Sequence, residues 1–367
     1  MSSKLEGSTA AKPNDVQASG KPNDTKGKSC VGRLVRFFLH ATDFLVFATL
    51  IVASLSSLLR LDEFAIGMPL TYSPRMLWLL VAVVLAFCYL CLRRFKRLTI
   101  VAILAMLLCY DATWGIAKRR QFDGPLLTLL SFNTHYANGE DIAKLCAIHD
   151  VDILCLQETS PSMGPRREFI GALPEYQFFT GDRDAKRDAN AKWYFTCITG
   201  VRQSLLEQPR STEVDTAITK FRSFAVKVNL NQGPLWLINV HTTKPVTLRR
   251  KDIKLSLKDT LIKAERHRSE YELLRKWLDV HEEPTIPMLV AGDFNAPGNT
   301  QNLRFPDLKN AQREAGRGFL LTFPARFPVF GIDHVLGNES IEFQSCEVLN
   351  TGLSDHRAML VRFKLKQ

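Results

Sequence analysis

Two regimes of hydrophobic patterning divide the 367-residue chain. Through residue 120 the apolar positions form long unbroken runs, about Phe37 to Leu59, Met76 to Leu92 and Leu98 to Ala117. A hydrocarbon core of about 30 Å takes roughly 17 to 25 residues to cross as a helix, so each run predicts a transmembrane helix. Residues 1–33 form a polar tail rich in Ser, Lys, Gly, Pro, Asn and Asp, too poor in large apolar side chains to offset the entropy of ordering, and disorder is expected there. After Gly124 the runs shorten to strand length, and helical spacing alternates with them. Strands are predicted over 126–133, 151–158, 235–241, 332–336 and 358–363, and helices over 140–149 and 249–281, the second stopped by Pro284. Residues 121–367 are of a size for one domain.

The second regime is organised around Met288 to Ala296, MLVAGDFNA, a buried strand that delivers polar groups to its end. A strand alternates with a period of two, so Asp293 and Asn295 point to one side and Phe294 to the other. Gly292 leaves the backbone bare beside Asp293, which suits close approach of a ligand or an unusual turn.

Charge modifies the picture less than its total suggests. The formal net charge is +11, but residues 1–120 carry 16 Lys and Arg against 7 Asp and Glu, whereas residues 121–367 carry 32 against 30. Basicity therefore speaks first about topology. Lys26, Lys28, Arg33 and Arg36 before the first run, and Arg93, Arg94, Lys96 and Arg97 between the second and third, mark those segments as cytoplasmic. Three crossings then carry the domain to the periplasmic or extracellular side of an inner or plasma membrane. Lys118, Arg119 and Arg120 pull the other way, and two crossings with a cytoplasmic domain is the alternative topology. The eight cysteines are scattered without zinc-ligand spacing, and Cys88 and Cys91 lie inside an apolar run.

Polar residues recur at the strand ends: Asn133, Glu158, His241, Asp293 with Asn295, Asp333, and the triplet Ser354, Asp355, His356. Carboxylates and carboxamides without a cysteine cluster suit a hard, oxygen-preferring cation such as Mg2+ or Mn2+. Histidines among acids suit proton transfer and the stabilisation of a phosphoryl oxyanion. In order along the chain, SFN ending at Asn133, LQET around Glu158, NVH ending at His241, GDFN over 292–295, GID ending at Asp333, and LSDH ending at His356 resemble the endonuclease/exonuclease/phosphatase superfamily of phosphoester hydrolases.

That resemblance implies a four-layer α/β/β/α sandwich behind the transmembrane region. It implies that Glu158 binds the metal with Asn133 in the same shell, that Asp293 and Asn295 orient the attacking water or hold the phosphate, and that His241 is a general acid. By the same resemblance His356 contacts a phosphate oxygen or moves a proton, Asp333 holds its ring, and Asp355 helps with metal or ring orientation. The chain departs from the family where a glycine-rich strand is common, since Trp193 to Thr199 stands there, and His135 takes a place where abasic-site enzymes tend to carry an acid.

The expected function is membrane-anchored, metal-dependent hydrolysis of phosphodiesters, with the lipid bilayer as one partner and nucleic acid or phospholipid as substrate. Residues 244–276 carry 11 Lys and Arg against 5 Asp and Glu, a local excess that suits either anionic surface. A binding or sensory module without catalysis, built on the same scaffold, is the alternative from another class.

Overall fold

The computed structural model describes residues 25–63, 67–111, 114–116, 124–135, 137–159, 171–180, 196–207, 213–219, 223–245, 253–281, 283, 285–298, 300 and 303–366. Two compact units are present, Met1–Thr49 and Leu50–Gln367. Most of helix α1 (Thr25–Leu55) belongs to the first. α1 starts ahead of the apolar run, so residues 25–33, expected in the tail, are helical, while residues 1–24 lie outside the described residues. Its portion Gly32–Leu55 is the one described helix long and apolar enough to cross a membrane, judged by length and composition.

In the second unit a short helix α2 (Met68–Thr71) leads to α3 (Arg75–Cys91) and α4 (Phe95–Asp111). α3 is apolar but shorter than a full span by the same measure. Leu80, Val83, Phe87, Ile103 and Met106 of this pair are exposed. The third helix stops earlier than its hydrophobicity predicts. It ends at Asp111, and Trp114–Ile116 (β1) pairs instead with Arg317–Phe319 (β11), Gly115 lying opposite Gly318. Close packing explains the glycine, since a Cβ at 115 would sit 2.3 Å from the Gly316 carbonyl oxygen.

The remainder is a sandwich of two six-stranded sheets. One has the order β10 (Lys309–Asn310), β12 (Asp333–Gly337), β9 (Met288–Asp293), β8 (Gly233–His241), β7 (Ser223–Leu230), β6 (Glu213–Thr219). The other has the order β13 (Ile341–Leu349), β14 (Ala358–Leu365), β2 (Leu127–Asn133), β3 (Ile153–Thr159), β5 (Thr196–Arg202), β4 (Tyr176–Thr180). Each sheet holds one parallel pair, β2 with β3 and β8 with β9. Parallel neighbours need a crossover, and these are α5 (Gly139–His149) and α6 (Ile253–His281).

Strand alternation builds the layers. Leu127, Leu129, Ile153, Cys155, Leu235, Leu237, Leu289, Ala291 and Val335 fill the space between the sheets. Leu130, Phe132, Leu154 and Leu156 point outward onto Ile142 and Cys146 of α5. Ile238, Val240 and Val290 point outward onto Tyr271, Leu274 and Trp277 of α6. Sheets covered on both faces call for continuous apolar runs rather than alternation, which is why the predicted strands read that way. Met68 and Tyr72, from between the first two apolar helices, join the cluster beneath α6.

Candidate active site

The layer between the sheets changes character at one end. The inward positions of β2 run Leu127, Leu129, Ser131, Asn133, and those of β8 run Leu235, Leu237, Asn239, His241. β9 contributes Leu289, Ala291 and then Asp293, and β12 begins at Asp333 directly opposite. His241 and Asp293 are register partners across β8 and β9. Period-two alternation thus makes the same strands hydrophobic in the core and polar at its rim. Gly292 permits the tight β8–β9 contact, with φ of +146° and a Val240 carbonyl oxygen that would stand 1.9 Å from any Cβ. Where the sequence suggests close approach of a ligand or an unusual turn, the structure shows a positive φ and close β8–β9 packing at that glycine.

Glu158 departs from alternation. Its neighbours Leu154 and Leu156 face outward, but φ of +50° at Glu158 and a register shift in the β3–β5 pairing turn its carboxylate into the site. Left-handed backbone at a non-glycine residue is uncommon and concentrates at functional sites. Glu158 Oε1 lies 3.4 Å from His241 Nε2, and Oε2 lies 3.3 Å from His135 Nδ1.

Asp293 is the centre of the polar network. Its Oδ2 accepts from Asn133 Nδ2 at 3.0 Å and Asn295 Nδ2 at 3.2 Å, and its Oδ1 accepts from the Asn295 backbone N–H at 2.9 Å. His241 Nε2 and His356 Nε2 each stand 3.8 Å from Oδ2. Burial raises the Asp293 pKa to about 7; His356 opposes the rise, repulsion from Asp333 adds to it, and the hydrogen bonds from Asn295 and Asn133 moderate it. His356 shifts further. Burial by itself would lower it, but the Asp333 and Asp293 carboxylates outweigh that and push it up to about 10. Asp333 holds His356 Nδ1 at 2.9 and 3.2 Å, and the Phe323 ring lies 4.8 Å from the imidazole, centroid to centroid. The protein therefore carries a protonated imidazole beside a carboxyl poised near neutral pH, a matched donor and acceptor.

The structure gathers Asn133, Glu158, His241, Asp293, Asn295, Asp333 and His356 at one end of the sandwich. Asp355 is more peripheral, with a side chain 48% exposed and Oδ1 3.7 Å from His135 Nδ1. Ring orientation, one of its two expected roles, falls to Asp333. His135, one of five histidines left without a role by the sequence together with His149, His267, His281 and His334, stands at the site, and neither spacing nor alternation marks it. Gln157 and Asn239 were also missed. Fully buried, they bridge the sheets through Gln157 Nε2 to Asn239 Oδ1 at 2.9 Å and Asn239 Nδ2 to the Ile198 carbonyl at 2.9 Å. Their inward position next to Asn133 and His241 was the available signal. His334 is structural, its ring bonded to Gln312 Oε1 and the Ala296 carbonyl and its pKa lowered by burial to about 4.

Oxygen donors suited to a hard divalent cation converge here. Asp293, Asp333 and His356 can each offer an atom within 4.8 Å of the others, but the charge on His356 makes its ring a poor ligand. Glu158 offers a further carboxylate, partly open at the rim, that faces the buried acid Asp293 across His241. Convergent carboxylates repel, and a bound cation relieves that repulsion.

The model of the endonuclease/exonuclease/phosphatase family matches residues 130–356, which begins at β2 and ends on His356. The chain belongs to that family. Family members are phosphoester hydrolases, and their enzymes depend on a divalent metal; the chain is a phosphoester hydrolase. Among solved structures, it is similar to an endonuclease/exonuclease/phosphatase from Bacteroides vulgatus at 18% identity, covering 66% of this chain and 100% of that one with a TM-score of 0.52. A humanized Danio rerio TDP2 (13% identity, 65% and 99% covered, TM-score 0.49) and a mannosyl-6-phosphatase from Bacteroides thetaiotaomicron (17%, 65% and 100%, TM-score 0.47) also match. At these identities the likeness concerns fold. Comparison with curated proteins returned no match.

Proposed function

We propose that this family member is a membrane-anchored phosphodiesterase, dependent on Mg2+ or Mn2+, acting on phosphodiesters of nucleic acid or phospholipid at the periplasmic or extracellular face of the membrane. The observation that carries the reading is the convergence of His241, Asp293 and His356 on one point, with Glu158 at its edge. Asp293, with a pKa near 7 and two amide-bearing neighbours fixing its oxygens, accepts a proton from the attacking water. His356, kept charged by Asp333, donates to a non-bridging phosphate oxygen. His241 stands across from them and donates its proton to the leaving oxygen. Glu158, Asn133 and Asp355 would hold the cation, which supplies charge neutralisation at the phosphate when bound.

The topological part is supported by fold parity. Tyr72 and Trp114–Ile116 are both fastened to the same folded unit. An even number of crossings must therefore separate them, which suits α3 and α4 as a hairpin with Arg93, Arg94, Lys96 and Arg97 at its turn. With α1 added, the count is three and the domain lies opposite the amino terminus. Each helix of the hairpin has 17 residues, at the lower end of the spanning range.

The test is hydrolysis by the full-length protein in detergent micelles, with and without Mg2+ or Mn2+. The substrates are plasmid DNA, RNA, phospholipid vesicles, and paired chromogenic phosphodiester and phosphomonoester, beside a His356→Ala control. Metal-dependent cleavage of a diester that the control lacks is the expected result. Preference for the monoester, or no turnover although the cation binds, would overturn the reading, the latter in favour of a binding module.

A further inference from the structure

Three buried polar side chains outside the catalytic cluster converge on the backbone just after His241, and the hydrolysis mechanism uses none of them. His267 of α6 is fully buried, and burial lowers its pKa to about 4, so the ring is neutral. Its Nδ1 lies 2.6 Å from the Thr243 carbonyl oxygen. A carbonyl only accepts, so Nδ1 carries the hydrogen and Nε2 is the acceptor. The phenol of Tyr72, 3.1 Å away, donates to Nε2. Glu270, one turn along α6, accepts from the Thr243 N–H at 2.6 Å and from Thr243 Oγ1 at 2.7 Å.

From Thr243 the connection reaches the reacting groups in two steps. The Thr242 carbonyl accepts from Asn295 Nδ2 at 2.9 Å, and the same Nδ2 donates to Asp293 Oδ2 at 3.2 Å. The Thr242 N–H donates to the Asp293 carbonyl at 3.0 Å, and Thr242 Oγ1 donates to the Phe294 carbonyl. Every backbone polar group of Thr243 and Thr242 in this stretch is therefore held from α6, from β9 or from Asn295 just after it. Burying an imidazole, a phenol and a carboxylate costs more than burying apolar side chains of similar size. Stability alone would be served by leucine at 267 and phenylalanine at 72.

We infer that Tyr72 and His267 are positioning residues for the proposed hydrolysis, holding the Thr242–Thr243 segment so that His241 and Asn295 stay in register with Asp293. The linker between the first and second apolar helices thereby becomes part of the catalytic apparatus, although it lies nearly 170 residues ahead of His241 in the chain. The inference rests on the hydrolase reading above.

The experiment compares full-length wild type with Tyr72→Phe, His267→Leu and His267→Asn in micelles, using the diester cleaved in the assay above. Asn keeps an N–H donor near the place of Nδ1, whereas Leu fills the apolar space better. A misplacement near 1 Å costs up to about 100-fold in rate, and loss of one anchor is expected to cost roughly a tenth of that. Tyr72→Phe and His267→Leu should each lower kcat about tenfold with KM and Mn2+ affinity within twofold, and His267→Asn should recover most of kcat. Selective 15N labelling should show His267 as the neutral Nδ1–H tautomer at pH 6. The opposite order, with Leu active and Asn impaired, assigns the pair to packing and overturns the inference. Unchanged kcat in all three variants, or an Nε2–H or charged ring, overturns it as well. Those outcomes leave the hydrolase reading standing, while a wild type without turnover overturns both.

Discussion

Replacing Asp333 with asparagine tests the electrostatic design of the site directly. Asp333 holds His356 Nδ1 with both oxygens, at 2.9 and 3.2 Å, while the other acid, Asp293, stands 3.8 Å from Nε2. A rise in the His356 pKa from 6.5 to about 10 corresponds to interactions on the order of 5 kcal/mol. Asp333 is nearer and makes the hydrogen bonds, so it supplies the larger share. Asparagine keeps one acceptor, and breaking a buried charge pair costs about 3 to 5 kcal/mol, which places the expected loss at about 3 kcal/mol. Because the folded-state pKa is raised, the stabilisation is fully present below about pH 6.5 and disappears as pH rises through about 10. Urea titrations of both proteins in micelles containing EDTA, followed by tryptophan fluorescence, should therefore differ by about 3 kcal/mol at pH 6 and converge above pH 10. A difference under about 0.5 kcal/mol at pH 6, or one that persists undiminished at pH 10.5, would refute the account of His356 as a carboxylate-held cation.

Other consequences are accessible to the same preparations. Asp293 has a raised folded-state pKa, so its ionisation works against folding and stability drains away as pH rises from about 4 to about 7; Asp293→Asn should flatten that part of the melting-temperature profile in EDTA. Gly292→Ala places a Cβ 1.9 Å from the Val240 carbonyl at φ of +146°, and a loss of about 3 kcal/mol or more in thermal unfolding is expected. Glu158→Gln should weaken Mn2+ binding about tenfold or more by calorimetry, with little change in melting temperature for the metal-free protein. Asn239→Ala removes the Gln157–Asn239 bond between the sheets and the donor to the Ile198 carbonyl, leaving the Gln157 amide its bond to the Cys155 carbonyl, and a cost of about 2 kcal/mol is expected in urea unfolding.

Much of the site could be read before any coordinates, for a physical reason. Asn133, His241 and Asp293 each terminate an apolar strand at an inward position, so period-two alternation reports both the core and the point where it becomes polar. Asp333 and His356 were legible from the residues as types, and as a pair only through the family resemblance, because their contact joins β12 to the segment before β14. Glu158 was legible as a strand-end acid, yet alternation would aim it outward with Leu156; the left-handed turn that redirects it has no local signature. The strands β6, β7 and β13 escaped prediction because their mixed composition resolves only when neighbours cover one face. The end of the third apolar helix was overrun for a related reason. Trp114 and Ile116 are as hydrophobic as a span requires, and only pairing with β11 makes them a strand. Nothing local to Tyr72 or His267 announces a bond across that separation.

The hairpin of α3 and α4 leaves the folded unit at Tyr72 and comes back to it at Trp114–Ile116, so its base is closed by protein at both strands of its stem. Mechanically it is a handle riveted at two points, not a cord tied at one. A single flexible tether lets a domain swivel and sample every orientation toward the surface below. Two rivets remove that swivel. Tilt of the hairpin is delivered at once to the edge at β11 and to α6, and under the proposed anchoring a bilayer around the hairpin would meet the same face of the enzyme at every encounter.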